Sequence, residues 1–223
     1  MPRPLVRPIT GPAFGPAAGG KPTWLLVLLH GFGADGNDLI GLGPVLGGFV
    51  PDARILAPDA PELCDMAPYG RQWFSLADRD PMVMYQGADR ARIDIDAFLD
   101  DNLDALGLAH DRLILAGFSQ GAMTALHVGL RRAQSPACIL AYSGMLVGRN
   151  QLDEEMTCHP PVLLIHGEDD EVVPSQSTRD GERKLLDCGI DVMAHVLPDL
   201  GHGIDERGLM LTQKFLQRIG IAR

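Results

Sequence analysis

Apolar residues in this chain gather in short unbroken runs separated by segments with helical spacing. The longest run, Trp24 to Leu29 (WLLVLL), has no polar position at all, the pattern of a strand covered on both faces of its sheet. Further strands are predicted over Arg54 to Ala57 (closed by Pro58), Leu113 to Ala116, Ala137 to Tyr142, Val162 to Ile165 and Asp191 to Leu197. Between them lie helical stretches. One starts at a cap residue, Asp35 or Asn37, and runs to about Leu46. Asp89 to Leu106 places Ile95, Phe98, Leu99, Leu103 and Leu106 on one face and Asp94, Asp100, Asp101 and Asp104 on a solvated one. Met123, Leu126 and Leu130 are spaced three and four apart. Pro174-Ser175 opens a polar helix that stops at Gly189, and Gly203 to Ile219 is the last.

This alternation predicts an α/β fold: a mostly parallel, doubly wound sheet with helices on both faces, forming one domain over residues 1–223 with no separate cap. Residues 1–23 are rich in Pro, Gly and Ala, with Leu5 to Thr10 the one candidate strand, and read as an irregular arm or an edge hairpin. Pro58 to Ala88 lacks periodicity but contains Tyr69, Trp73, Phe74 and Tyr85. A long aperiodic segment is usually functional or disordered, and its aromatic content argues against disorder.

Composition narrows the partners. The net charge of −10 disfavours nucleic acid and anionic membrane surfaces. Cys64, Cys138, Cys158 and Cys188 show no CxxC and no zinc-type spacing, so four isolated thiols in a reducing compartment are expected. No apolar run reaches membrane length, and the two early arginines precede no apolar core of a signal peptide. A cytoplasmic location is the expectation. The aspartates of the Asp89 helix read as a wet face and not as a metal site.

Candidate chemistry centres on Gly117-Phe118-Ser119-Gln120-Gly121, placed between a predicted strand and a predicted helix. Strand, G-x-S-x-G, helix is the arrangement of a nucleophile elbow: a sharp turn that strains the serine backbone and exposes its Oγ. Glycines two before and two after the serine are needed because Cβ atoms there would collide. The helix start directs unpaired N–H groups toward the serine. With six serines and 26 glycines in 223 residues, chance alone supplies roughly 0.08 such motifs. Three further loops at predicted strand ends carry reactive or glycine-flanked groups: His30-Gly31-Phe32-Gly33, His166-Gly167-Glu168-Asp169-Asp170, and Gly201-His202-Gly203. A serine hydroxyl needs a neutral imidazole to take its proton, and the imidazole needs a carboxylate to hold its tautomer. His202 is the best base, with Gly201 and Gly203 letting the backbone bring the ring close. His127 lies inside a helix and His195 inside a strand. His30 and His166 are expected to hydrogen-bond turns, and His110 and His159 to lie on the surface. For the acid, the residues alone leave Asp169 and Asp170 open.

GFSQG, the opening HGFGADGNDLI, the later HGEDDEVVP and the closing LGHGI together resemble the carboxylesterase, lysophospholipase and acyl-protein thioesterase family of small α/β-hydrolases, from about Trp24 to the end. The resemblance implies Ser119 as nucleophile, Asp170 as acid and His202 as base, and an oxyanion hole from the backbone N–H groups of Phe32 and Gln120. It also implies that the loop with Trp73 and Phe74 walls the acyl pocket. The family often has another glycine after GFSQG, where this chain has Ala122. The expected activity is hydrolysis of small carboxylic esters of short to medium acyl chains, with thioesters, lysophospholipids or acylated proteins as alternatives. No cofactor and no metal are called for, and the family allows a homodimer.

Two readings from other classes compete. Gly31-x-Gly33-x-x-Gly36, with Asp59 beyond it, is formally a dinucleotide-binding fingerprint of an oxidoreductase, but it leaves the serine elbow and the other loops unexplained. A non-catalytic hydrolase fold typically lacks one of the three reacting residues, and this chain has a candidate for each.

Overall fold

The computed structural model describes residues 5–222. In chain order these form β1 (Ala13–Phe14), β2 (Trp24–Leu29), α1 (Gly36–Ile40), α2 (Gly43–Phe49) and β3 (Ala53–Leu56). A small hairpin of β4 (Glu62–Leu63) and β5 (Arg71–Gln72) leads into α3 (Pro81–Leu106). A 3-10 turn at His110–Arg112 precedes β6 (Leu113–Phe118), α4 (Gln120–Gly129), β7 (Cys138–Tyr142) and α5 (Leu152–Glu155). The chain closes with β8 (Val162–Gly167), α6 (Gln176–Asp187), β9 (Val192–Leu197) and α7 (Glu206–Arg218).

The main sheet has the order β1-β3-β2-β6-β7-β8-β9. Its members pair in parallel except β1, which runs antiparallel along β3. The all-apolar β2 explains itself in this setting. Leu25, Val27 and Leu29 pack with Ile95, Leu99 and Leu103 of α3 and Met123 of α4. Leu26 and Leu28 point the other way, into a second core with Leu46 of α2 and Phe215 and Leu216 of α7. From β2 the chain winds outward to β3, then returns to place β6 on the other side of β2. That reversal opens a crevice beyond the carboxyl ends of β2 and β6, the place where open α/β sheets bind ligands.

Several elements differ from the sequence reading. α3 begins at Pro81, not Asp89: Asp80 caps it by accepting from the N–H groups of Met82 and Val83, and proline suits the first turn. Gly87 interrupts the apparent pattern, because a Cβ there would lie 2.8 Å from the Cβ of Phe74. The helix expected from Asp35 to Leu46 is two helices, since Pro44 has no N–H to continue the ladder. In the arm, the strand is Ala13–Phe14 and not Leu5 to Thr10; residues 1–4 lie outside the described ones. Asp94 is buried, not solvated. Its carboxylate accepts from the backbone N–H and Nε of Arg7 (2.8 and 2.7 Å) and from Arg90 (3.2 Å), which clamps the arm onto α3.

His127 is wholly buried between α4 and α3, 3.7 Å from Asp89 and edge-on to Tyr85. Burial, helped by the nearby Arg131 charge, pulls its pKa down to about 4. In the unfolded chain a histidine titrates near ~6.5. The folded value is therefore the lower one: stability is full above about pH 6.5 and drains as the pH falls toward about 4, by up to about 3 kcal/mol. Urea unfolding at about pH 7 and about pH 4 checks this. His127→Gln should lose less stability over that interval than the parent; equal losses would show that His127 does not drive the acid sensitivity.

Candidate active site

A strained turn lies between β6 and α4. Ser119 has φ 54° and ψ −118°, a conformation that L-residues rarely adopt and that costs on the order of 1–3 kcal/mol. Its N–H is tied to the carbonyl of Tyr142 (2.9 Å), and its own carbonyl accepts from Ala122 and Met123 at the start of α4. The flanking glycines are required by space. A Cβ at Gly117 would strike the Gly121 carbonyl, and one at Gly121 would strike the Leu29 carbonyl and lie 2.6 Å from His30 O. Ala122, where the family often has glycine, is buried, and its methyl occupies space that a Cβ on Gly144 would need (2.6 Å).

Around this turn the structure brings together the three residues singled out from the sequence. His202 Nε2 stands 2.9 Å from Ser119 Oγ, and His202 Nδ1 stands 2.7 Å from Asp170 Oδ2. A carboxylate only accepts, so Nδ1 carries the hydrogen and the Nε2 lone pair faces the serine hydroxyl. Asp170 is held in turn: its Oδ1 accepts the N–H groups of Val172 and Val173, both at 2.8 Å. Burial pushes the Asp170 carboxyl upward, but the hydrogen bonds from His202, Val173 and Val172 outweigh it and hold the group below the ordinary carboxylate value. Asp169, the other acid the residues left open, instead gives its backbone N–H to Leu200 O. The His202 ring leans on Phe118, centroids 4.8 Å apart, and Ser143 Oγ reaches the carbonyl of Gly203 at 3.5 Å. Gly201 and Gly203 are not sterically required. A Cβ at Gly203 would meet nothing within 4 Å, and one at Gly201 only Asp169 O at 3.8 Å.

The His30-to-Gly33 loop lies against the serine. A Cβ on Gly31 would sit 3.4 Å from Ser119 Cβ and 3.3 Å from the Phe118 ring. No hydrogen bond among the described residues uses the Phe32 N–H, and the N–H of Gln120, first residue of α4, is one that helix geometry leaves without a helical partner. His30 fastens this loop. Its Nε2 accepts from Ala60 N–H (3.0 Å), so its Nδ1–H donates to Gly31 O (2.8 Å). Trp73 Nε1–H donates to His30 O at 2.9 Å.

Trp73 and Phe74 are only 1% and 2% exposed. Their side chains belong to the core beneath the loop, and open space lies elsewhere. A groove of about 520 Å³ lies between the start of α3, the segment after β7 and α6; Met82, Met145 and Leu146 line it together with the charged Arg79, Arg149 and Asp180, and Ser119, Asp170 and His202 are not among its lining residues. Its lining includes Met145, the residue after Gly144, where a Cβ would stand 3.1 Å from Ser119 O. The Gln120 side chain, for which the sequence offered no role, is fully buried and bridges the segment: Oε1 accepts from Trp73 N–H (2.9 Å) and Nε2 donates to Phe74 O (2.6 Å). The glycine fingerprint of a dinucleotide site is spent internally. Gly36 N–H donates to Asp59 Oδ1 (2.8 Å), and the helix that follows has five residues.

Against this geometry the comparisons with known proteins are consistent. A family model described as Phospholipase/Carboxylesterase matches residues 16–219. The crystal structure of esterase PE8 superposes with a TM-score of 0.90 and 42% identity, covering 95% of this chain and 99% of that one. Esterase YpfH of Escherichia coli (strain K12) is 27% identical over 86% of this chain and 82% of its own. Acyl-protein thioesterase 1 of Gibberella zeae is 24% identical over 90% and 92%.

Proposed function

Since the chain belongs to the phospholipase/carboxylesterase family and is a carboxylic ester hydrolase, we propose that Ser119, His202 and Asp170 are its nucleophile, base and acid. The hydrogen-bonded line from Ser119 Oγ through His202 to Asp170 carries this reading. Ser119 Oγ attacks the ester carbonyl as His202 Nε2 takes its proton. The tetrahedral oxyanion is met by the N–H groups of Phe32 and Gln120. His202 then protonates the departing alcohol, and a water activated by the same imidazole releases the acid. Each step uses only these groups and water.

The substrate is a small ester with a short to medium acyl chain. What supports this is the groove of about 520 Å³ lined in part by Met145, within the range of small-molecule sites. Trp73 and Phe74 serve as the floor that holds the oxyanion loop, and residues 5–222 act as one hydrolase domain. Among the described residues no helix is long and apolar enough to cross a membrane.

Two measurements test the proposal. A fluorophosphonate should add its mass at Ser119 and nowhere else, and label on another residue would remove the nucleophile assignment. A p-nitrophenyl ester series should peak at a short or medium chain. A maximum at the longest chains, or preference for a lysophospholipid or acyl-thioester in the same panel, would move the protein toward the activities named for its other relatives.

A further inference from the structure

A second histidine meets the acid. His166, the penultimate residue of β8, is wholly buried, as is the Asp170 side chain, and its Nε2 lies 3.1 Å from Asp170 Oδ2, the same oxygen that receives His202. The surrounding contacts identify its tautomer. His166 Nε2 is 2.9 Å from the carbonyl of Val173 and its Nδ1 is 2.7 Å from Thr178 Oγ1 on α6. The carbonyl can only accept, so Nε2 carries the hydrogen, and Nδ1 is left to accept from the Thr178 hydroxyl. Burial lowers the His166 pKa, which keeps the ring in this neutral form.

Resting on the triad reading above, the geometry points to His166 as a positioning residue for Asp170: its Nε2–H, shared between Asp170 Oδ2 and Val173 O, fixes the carboxylate plane that orients His202. The carboxylate then has donors on every side. Oδ1 takes the Val172 and Val173 N–H groups, and Oδ2 takes the His202 Nδ1–H and has His166 Nε2 3.1 Å away. Without His166, Oδ2 keeps only the His202 Nδ1–H, the group it has to orient, so the carboxylate plane is set by the Oδ1 contacts alone and the His202 ring is held less tightly. The neutral ring supplies a dipole and no charge, so it steadies Asp170 without competing with the imidazolium that forms on His202. Among the described residues, the titratable groups in contact with Asp170 are His166 from β8 and His202 from the loop after β9.

Removing the His166 donor leaves more negative charge on Oδ2 for the His202 imidazolium, so protonated His202 persists to higher pH. The acid limb of kcat/KM should therefore move upward. The test uses His166→Leu, His166→Gln and Thr178→Val, each measured on a p-nitrophenyl ester from about pH 5 to 9. Rates are counted per site titrated by fluorophosphonate. For His166→Leu we expect kcat to fall roughly 10–100-fold, as when other orienting hydrogen bonds are lost, with KM within about twofold and the acid limb displaced upward. Gln, whose Nε2 reaches the position of the imidazole Nε2, should restore most of the rate. Thr178→Val removes the donor to Nδ1 and should shift the limb in the same direction by less.

A residue of purely structural value would lower the number of titratable sites and leave the limb in place. Wild-type rate per site and an unmoved limb in His166→Leu would overturn the inference, as would Gln behaving like Leu. If the Leu variant does not fold, an unchanged profile in Thr178→Val overturns it instead. Absence of label on Ser119 in the parent protein would count against the triad itself, a result distinct from all of these.

Discussion

Replacing Ser119 with alanine is expected to lower kcat for ester hydrolysis by about 10⁶, the loss seen when a serine nucleophile is removed from a Ser-His-Asp site. What remains, on the order of 10³–10⁴ over water, would come from the oxyanion donors and binding. Asp170→Asn should follow at about 10⁴, because an amide cannot hold the His202 Nδ1–H tautomer. The elbow adds a stability signature that separates this loss from unfolding. Ser119 sits at φ 54°, and alanine keeps that strain, so Ser119→Ala should unfold at the same urea midpoint as the parent. Ser119→Gly removes the Cβ and should be more stable than Ser119→Ala by about 1 kcal/mol, while equally inactive. Steady-state kinetics and urea unfolding of the two variants check both halves. An alanine variant retaining esterase activity within tenfold of the parent would end the assignment.

The strands and the order of reactive loops are legible because both depend on local sequence. A strand covered on both faces must be apolar throughout, and β2 is so from Trp24 to Leu29. Gly117 is fixed by the carbonyl of Gly121 in the same motif, so there the motif and its geometric reason travel together. What escapes sequence reading depends on partners far along the chain. Asp94 looks like one more solvated helix aspartate until Arg7, 87 residues earlier, meets it. Gln120 looks like a donor of its backbone alone until its amide reaches Trp73 and Phe74, 47 and 46 residues away. That reach also accounts for the burial of Trp73 and Phe74. The early start of α3 is hidden by Gly87, whose reason is the Phe74 side chain packed against it. His166 reads as a turn residue because nothing in HGEDD tells which way its ring faces.

The glycines supply the last contrast, since identical residues in matching motifs differ in what they must avoid. Gly121→Ala is expected to destroy the folded state. Its methyl would collide with the Leu29 carbonyl and stand 2.6 Å from that of His30, the last residue of β2 and the one that follows it. Backbone at that place cannot retreat without separating β2 from β6, whose pairing runs through Leu29 and Gly117. Overpacking in a well-filled core typically costs about 1–3 kcal/mol where side chains can shift. Here only backbone could shift, so a loss above about 5 kcal/mol, comparable to the whole stability of a domain, is the expectation. Gly203→Ala, beside His202, should unfold within about 0.5 kcal/mol of the parent or slightly above it, because its Cβ enters open space. Circular dichroism and urea unfolding of the pair decide the matter. A well-folded Gly121→Ala would mean that the approach of α4 to β2 is adjustable, and the strained φ of Ser119 would then no longer follow from close packing at the elbow.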